Sequence, residues 1–202
     1  MTARTFGHQL RDRVAIVTGA SGGIGSAIVA RFATEGAQLV LADLDTAKCE
    51  TLVAQLPGNG DRHLTVACDV MNHASVQACA GSALAKFGKI DVIVNGAGMM
   101  RFKSLSDWTS QDWLEVFGVN LFGAAYFVRQ AFLHMSSGGS IVNISSVHAL
   151  MTSSNVATYA AAKAALLSLT RSAAIEGRDW NIRCNAILPG AIDTPMLWDN
   201  PN

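Results

Sequence analysis

Half of the 202 side chains are hydrophobic and 15% are charged, which supplies one substantial core and the profile of a single soluble globular domain. Fifteen basic residues balance fifteen acidic ones, so no overall field would hold the chain to nucleic acid or to an anionic membrane surface, and a small molecule gripped by local groups is the expected partner. Cys49, Cys68, Cys79 and Cys184 form no C-x-x-C pair and have no histidine at ligand spacing, so reduced core thiols are expected and no metal site.

From the N-terminus, "MTARTFGHQLRDR" lacks the apolar h-region of a secretory signal, and no uncharged window of mainly apolar residues approaches the length of a membrane span. A cytoplasmic location is the expectation. Short β-branched runs then recur at 14–19 ("VAIVTG"), 38–43, 64–69, 91–96, 139–146 and 182–188. Helical patterns alternate with them at 24–36, 46–56, 73–87, 108–135 and 157–177. The runs are apolar on both faces, as strands are when helices cover both sides of a parallel sheet. No repeat or low-complexity linker divides the pattern. The expected fold is therefore α/β: a Rossmann-type doubly wound parallel sheet in a single domain, with its chemistry just beyond the C-terminal strand ends.

The first run ends in "TGASGGIG", residues 18–25, where Gly19, Gly23 and Gly25 stand between a strand and a helix. Missing side chains let such a turn approach a ligand, and the helix N-terminus then offers free N–H groups to phosphate. A ligand-free Gly-rich turn would show the same glycines. Asp43 ends the second run 24 positions after Gly19, near the spacing at which a carboxylate meets the adenosine ribose of a dinucleotide. A strand-end cap would account for it equally. As a ligand group, Asp43 would repel a 2′-phosphate, and position 22 is Gly where a basic side chain could have attracted one. NAD is accordingly preferred over NADP.

Further along come "CDV" (68–70), "NGAG" (95–98), "VNL" (119–121), "NISS" (143–146), "YAAAK" (159–163) and "PGAIDTP" (189–195). With "TGASGGIG" these motifs, in this order from about Arg13 to Met196, resemble the short-chain dehydrogenase/reductase family. One departure is Gly96, where the family more often has Asn; Asn95 is kept. The resemblance implies hydride transfer between NAD(H) and a secondary alcohol or ketone. The runner-up is a catalytically weak or truncated member of the fold that binds cofactor as a regulator.

Tyr159 and Lys163 are four apart in "YAAAK", so both lie on one helix face, where an ammonium near the phenol oxygen would lower the phenol's pKa towards the range of a useful base. By resemblance Tyr159 is the general acid/base, and Lys163 also holds the nicotinamide ribose. Ser146, thirteen residues before Tyr159, matches the family's catalytic serine, whose hydroxyl bonds the reacting oxygen. Asn120 is a poor helix former inside a helical stretch; the family's matching Asn kinks the helix and holds a water that relays protons from the lysine.

The same resemblance puts Gly19, Ser21, Gly23, Ile24 and Gly25 at the pyrophosphate turn, Asp43 at the ribose, and Asp69 and Val70 beside the adenine. Asn95 and Gly98 fall on the adenosine side of the cleft, while Pro189, Gly190, Ile192 and Thr194 border the nicotinamide. Met100, His148 and Met151 follow the fourth and fifth runs and would line a mainly apolar substrate pocket; His148 could instead be a solvent-facing loop residue. Steroids, cyclic diols, sugars and oxoacyl chains all remain open, although the lack of a basic residue in the glycine turn weighs against NADPH-using oxoacyl carrier-protein reductases. Trp113, Phe117, Phe122, Phe127, Leu166, Leu167 and Leu169 exceed what one buried stripe per helix needs. In the family the equivalent helices pair across a two-fold axis, so a homodimer or homotetramer is expected. Family members usually continue past "DTPM" into a lid, a helix and a strand, so a longer natural chain is expected beyond Asn202.

Overall fold

The computed structural model describes residues 8–57 and 60–198. Six strands, β1 (Val14–Thr18), β2 (Gln38–Asp43), β3 (His63–Ala67), β4 (Val92–Asn95), β5 (Gly139–Ile144) and β6 (Ile182–Ile187), make one parallel sheet in the order β3-β2-β1-β4-β5-β6. The helices are α1 (Gly23–Thr34), α2 (Thr46–Val53), α3 (His73–Phe87), α4 (Ser110–Phe117), α5 (Gly123–His134), α6 (Ala157–Glu176) and the short α7 (Pro195–Trp198). Strand order reverses between β1 and β4, which opens a crevice beyond their C-terminal ends.

All five residues of β1 are buried, and their alternation feeds two cores. Ile16 joins Val40, Ile93 and Ile141 beneath Phe127 and Ala131 of α5 and Val76 and Ala80 of α3. Ala15 and Val17 point the other way, to Leu39, Leu41 and Val94 under Val29 and Ala33 of α1. The periodic reading of the sequence therefore describes a real two-sided sheet. All four cysteines are buried free thiols.

Local chemistry sets the element ends. Asn72 caps α3 by accepting from Ala74 N and Ser75 N at 2.9 and 3.2 Å, and Gly88 closes it in the left-handed region at φ 76°. The β3 run stops at Ala67 rather than 69 because Asp69 N donates to Ser75 Oγ at 3.1 Å, turning the chain into α3.

The helix expected at 108–135 departs most. It is α4, then a π turn over Gly118–Phe122, then α5. Asn120 Nδ2 donates to the Val116 carbonyl at 2.9 Å, occupying the i−4 acceptor that its own backbone N–H would use in an α-helix. This same segment, Ser110–His134, is long and apolar enough to cross a membrane, contrary to the sequence reading. Half of its apolar window is buried within the fold. Two of the residues expected at a subunit interface, Phe127 and Leu166, lie in the interior at 0% and 1% exposure. Leu114, Phe122 and Leu133 do remain exposed on α4, the π turn and α5.

Candidate active site

The glycine turn is tied to both neighbouring strands. Gly19, at φ +65°, follows β1 with its α-carbon so close to the next loop that a Cβ would sit 2.8 Å from Ala97 Cα. The Thr18 hydroxyl accepts from Gly96 N and Ala97 N at 3.1 Å each, hanging the post-β4 loop on the end of β1. A Cβ on Gly25 would run into the Gly19 carbonyl, and one on Gly23 into the Thr194 side chain. Only glycine fits this curl.

Beyond the turn lies a cavity of about 690 Å³ lined by Gly19, Ser21, Gly23, Ile24, Gly25, Asp43, Asp69 and Val70, with Gly98 and Thr194 at its far side. Asp43 already has two partners there, accepting from Ser21 N at 2.8 Å and Asp45 N at 3.1 Å. Its carboxylate thus braces the glycine turn as well as facing the cavity. Leu44 and Met71 also line this space, as does Cys68 of the "CDV" motif; the apolar side chains of Leu44 and Met71 carried no motif signal that sequence reading could use.

A second cavity of about 270 Å³ adjoins the first, with Ile24, Gly96, Gly98, Thr194 and Met196 lining both. Ser146, His148, Tyr159, Lys163 and Met100 line it, closed by Pro189, Gly190 and Ile192. The structure therefore brings sequence candidates from seven separate segments to one cleft. Three candidates, Asn95, Asn120 and Met151, line neither cavity. Asn95 is 5% exposed and its Nδ2 donates to Asn143 Oδ1 at 2.8 Å, while Asn143 Nδ2 donates to Thr170 Oγ1 at 2.8 Å, so Asn95 ties β4 through β5 to α6 beneath the cleft. Met151 is 81% exposed and lines neither cavity, because the chain turns outward after the short helical turn Val147–Ala149.

The catalytic candidates are all deeply placed. Ser146 and Tyr159 are each 6% exposed and Lys163 is 3% exposed. Burial pushes the Tyr159 phenol above its ordinary value, and only a hydrogen bond with Ser146 pulls it back. Lys163 makes no hydrogen bond to the phenol among the described residues. Its Nζ donates to the Ile144 carbonyl at 2.8 Å and lies 5.5 Å from the centroid of the Tyr159 ring, over the face and not at the oxygen. Desolvation lowers the Lys163 ammonium itself to about 8. Ser145, facing the opposite way, fastens β5 to α6 by donating to the Lys163 carbonyl at 2.9 Å.

Asn120 is 1% exposed, and its Nδ2 donates to the Met99 carbonyl at 2.8 Å. Among the described residues its Oδ1 is buried without a partner. A Cβ on Gly98 would lie 3.2 Å from this oxygen and 3.6 Å from Lys163 Nζ, so a bare glycine separates the two polar ends. The loop carrying Gly98, Met99 and Met100 is held by a charge cluster: Arg101 pairs with Asp112 and Glu115, and Lys103 with Asp112 at 2.7 Å. Lys103, Thr109 and Arg101 together hold the Asp112 carboxyl well below the usual range.

The chain matches the family model for short chain dehydrogenases over residues 13–202. It is 36% identical to D-threitol dehydrogenase of Mycolicibacterium smegmatis, over 97% of this chain and 77% of that one. It is 39% identical to cis-4-hydroxycyclohexanecarboxylate dehydrogenase of Sinomonas cyclohexanicum, over 95% and 78%. Among solved structures, it resembles a 3-ketoacyl-(acyl-carrier-protein) reductase of Brucella melitensis complexed with NADH, with TM-score 0.88, 32% identity, and coverage of 94% of this chain and 80% of that one. With the doubly wound sheet, the glycine turn and the Ser146, Tyr159 and Lys163 cleft in one chain, these matches establish that it belongs to the short-chain dehydrogenase/reductase family.

Proposed function

We propose that this chain transfers hydride between NAD(H) and a secondary alcohol or ketone, with Tyr159 as the general acid/base. The observation that carries this reading is the adjacency of the two cavities: a glycine-floored cleft lined by Asp43 shares five lining residues with the chamber that holds Ser146, Tyr159 and Lys163. The residues fit a dinucleotide. Side chains at Gly23 or Gly25 would have no room, and the volume suits an extended ligand. Asp43 at the cleft edge favours NAD, and the relative crystallised with NADH is consistent with that choice. Bound NAD(H) supplies the hydride acceptor or donor.

The protein's part is proton handling and charge. In oxidation the Tyr159 oxygen takes the proton of the substrate hydroxyl, and in reduction the phenol returns it. Ser146 Oγ accepts from His148 N at 3.2 Å, and its hydroxyl, which bonds the Tyr159 phenol in the ligand-free cleft, would turn to the reacting oxygen as charge develops. Lys163 places a positive charge beside the phenol ring from an apolar setting, where it acts with little screening. The unpartnered Asn120 Oδ1, across Gly98 from Lys163 Nζ, supports the water-holding role that the family resemblance gives it. The exposed Leu114, Phe122 and Leu133 support pairing of α4 and α5 in a dimer or tetramer, and we place the protein in the cytoplasm. Light scattering at micromolar concentration that found only monomer would reject the pairing.

The functional test is NADH binding by fluorescence, followed by NAD reduction with a panel of secondary alcohols. Tyr159→Phe should keep NADH binding and lose turnover by several orders of magnitude. Near-normal turnover in that variant rejects the assignment.

A further inference from the structure

The chamber around Ser146 and Tyr159 holds one polar side chain that neither the reacting oxygen nor the dinucleotide accounts for. His148 sits on the turn Val147–Ala149 directly after Ser146, and its backbone N–H is fastened to the Ser146 hydroxyl at 3.2 Å. Its imidazole meets the Tyr159 ring edge-on, with centroids 6.0 Å apart and planes at 75°. Nδ1 lies 3.4 Å from Thr152 Oγ1. Among the described residues Nε2 has no partner, so it can donate or accept according to tautomer. The rest of the lining gives little else to a polar substrate. Met100, Val147, Ile192, Met196 and Leu197 are apolar, and among the described residues of the lining there is no carboxylate or arginine, with Lys163 the one lysine.

We infer that His148 is a specificity-determining residue that binds a second hydroxyl on the carbon next to the reacting one, so that the substrate class is a neutral vicinal diol or, in reverse, an α-hydroxy ketone. This rests on the hydride-transfer reading above. Ser146 and Tyr159 converge on one oxygen. Vicinal oxygens in a gauche arrangement are about 2.8 Å apart, and each needs a partner at about 2.8 Å. With its ring 6.0 Å from the phenol ring in the same chamber, the imidazole is placed to meet a hydroxyl close to the reacting carbon. The uncharged lining leaves a carboxylate or phosphate at that position without a counter-charge beyond Lys163. Sites that hydrogen-bond a substrate hydroxyl discriminate strongly against analogues without it, because their own polar group is then left unpaired.

The experiment compares cyclohexane-1,2-diol with cyclohexanol, using wild type, His148→Phe and His148→Gln. Phe keeps the aromatic edge against Tyr159, and Gln keeps a hydrogen-bonding end. Wild type should favour the diol by roughly 30-fold or more in kcat/KM, His148→Phe should cut that ratio at least roughly tenfold, and His148→Gln should restore part of it. An unchanged ratio in His148→Phe, or equal losses on both substrates, overturns the inference. Calorimetric titration of each alcohol into the NADH-saturated enzyme separates the two readings. Tighter diol binding that depends on His148 without any turnover keeps the diol subsite and removes the reaction; turnover of both alcohols without His148-dependent discrimination keeps the reaction and removes the subsite.

Discussion

Replacing Lys163 with Met should stabilise the ligand-free fold while abolishing turnover, and the size of the effect should depend on pH in a calculable way. Burial lowers the ammonium from 10.5 to about 8. Between those values the unfolded chain binds more protons than the folded one, so stability rises with pH through that window and the cost of burying the charge is fully present below pH 8. At pH 7 the shift corresponds to about 3 kcal/mol, which Met does not incur. Met loses the bond to the Ile144 carbonyl and leaves that oxygen unpaired, a loss of about 1–3 kcal/mol. The net gain at pH 7 is then about 1 kcal/mol, or roughly 2–4 °C in Tm for a chain of this size. The pH dependence is sharper than the net value, because the carbonyl contribution cancels when two pH values are compared. From pH 7 to 9.5 the advantage of Lys163→Met over wild type should shrink by about 2 kcal/mol. Reversible urea unfolding at one fixed protein concentration measures it. A difference that stays constant across this range would refute the claim that Lys163 is held as a strained, desolvated cation.

Asp43→Ser with Leu44→Arg should move the ratio of kcat/KM for NADP over NAD upward by at least roughly tenfold, since a repulsion is removed and an exposed position (Leu44, 76% accessible) gains a phosphate partner; an unchanged ratio sinks the ribose assignment. Burial pushes the Tyr159 phenol up, so alcohol oxidation should accelerate with rising pH and ketone reduction should slow, and flat profiles in both directions would contradict its acid/base role. His63 is buried, its Nδ1 without a partner among the described residues, and its pKa is lowered mainly by desolvation; the unfolded chain therefore takes up the proton first, stability falls as pH drops below about 6.5, and His63→Gln should flatten that fall in urea titrations between pH 6.5 and 5.

Period and motif made the sheet and the cleft legible before any coordinates. Strands buried on both faces left continuous apolar runs, and the glycines marked a turn that no side chain could enter. Local competition and tertiary burial were not legible. Asn120 stood out as a poor helix former, but nothing in sequence says that its amide will take the Val116 carbonyl and open a π turn. The i, i+4 spacing put Tyr159 and Lys163 on one face, yet the ammonium's partner is a carbonyl 19 residues away on β5, and that choice is made by packing. Asn95 follows the alternation of β4 into the interior, where its amide is needed between strands. Met151 shares a loop with His148 in sequence, but the backbone turns it to solvent.

Gly98 links these features into a last test. Its φ is not among the positive values of the described chain, so alanine fits the backbone. The new Cβ would lie 3.6 Å from Lys163 Nζ, an ordinary contact, and 3.2 Å from Asn120 Oδ1, a tight one. The fold should therefore tolerate Gly98→Ala within about 1 kcal/mol. What the methyl removes is the polar gap between an ammonium and an unpartnered amide oxygen, where a water could join the two. If protons leave Tyr159 through Lys163 and Asn120, kcat should fall at least roughly tenfold while the NADH dissociation constant changes by less than about threefold. Should kcat persist with the methyl in place, the gap carries no protons and the unpartnered Asn120 oxygen has only the π turn to explain it. Should NADH binding fail with kcat, the bare α-carbon serves the dinucleotide, and the relay would have to be sought through the Met99 carbonyl that Asn120 already holds.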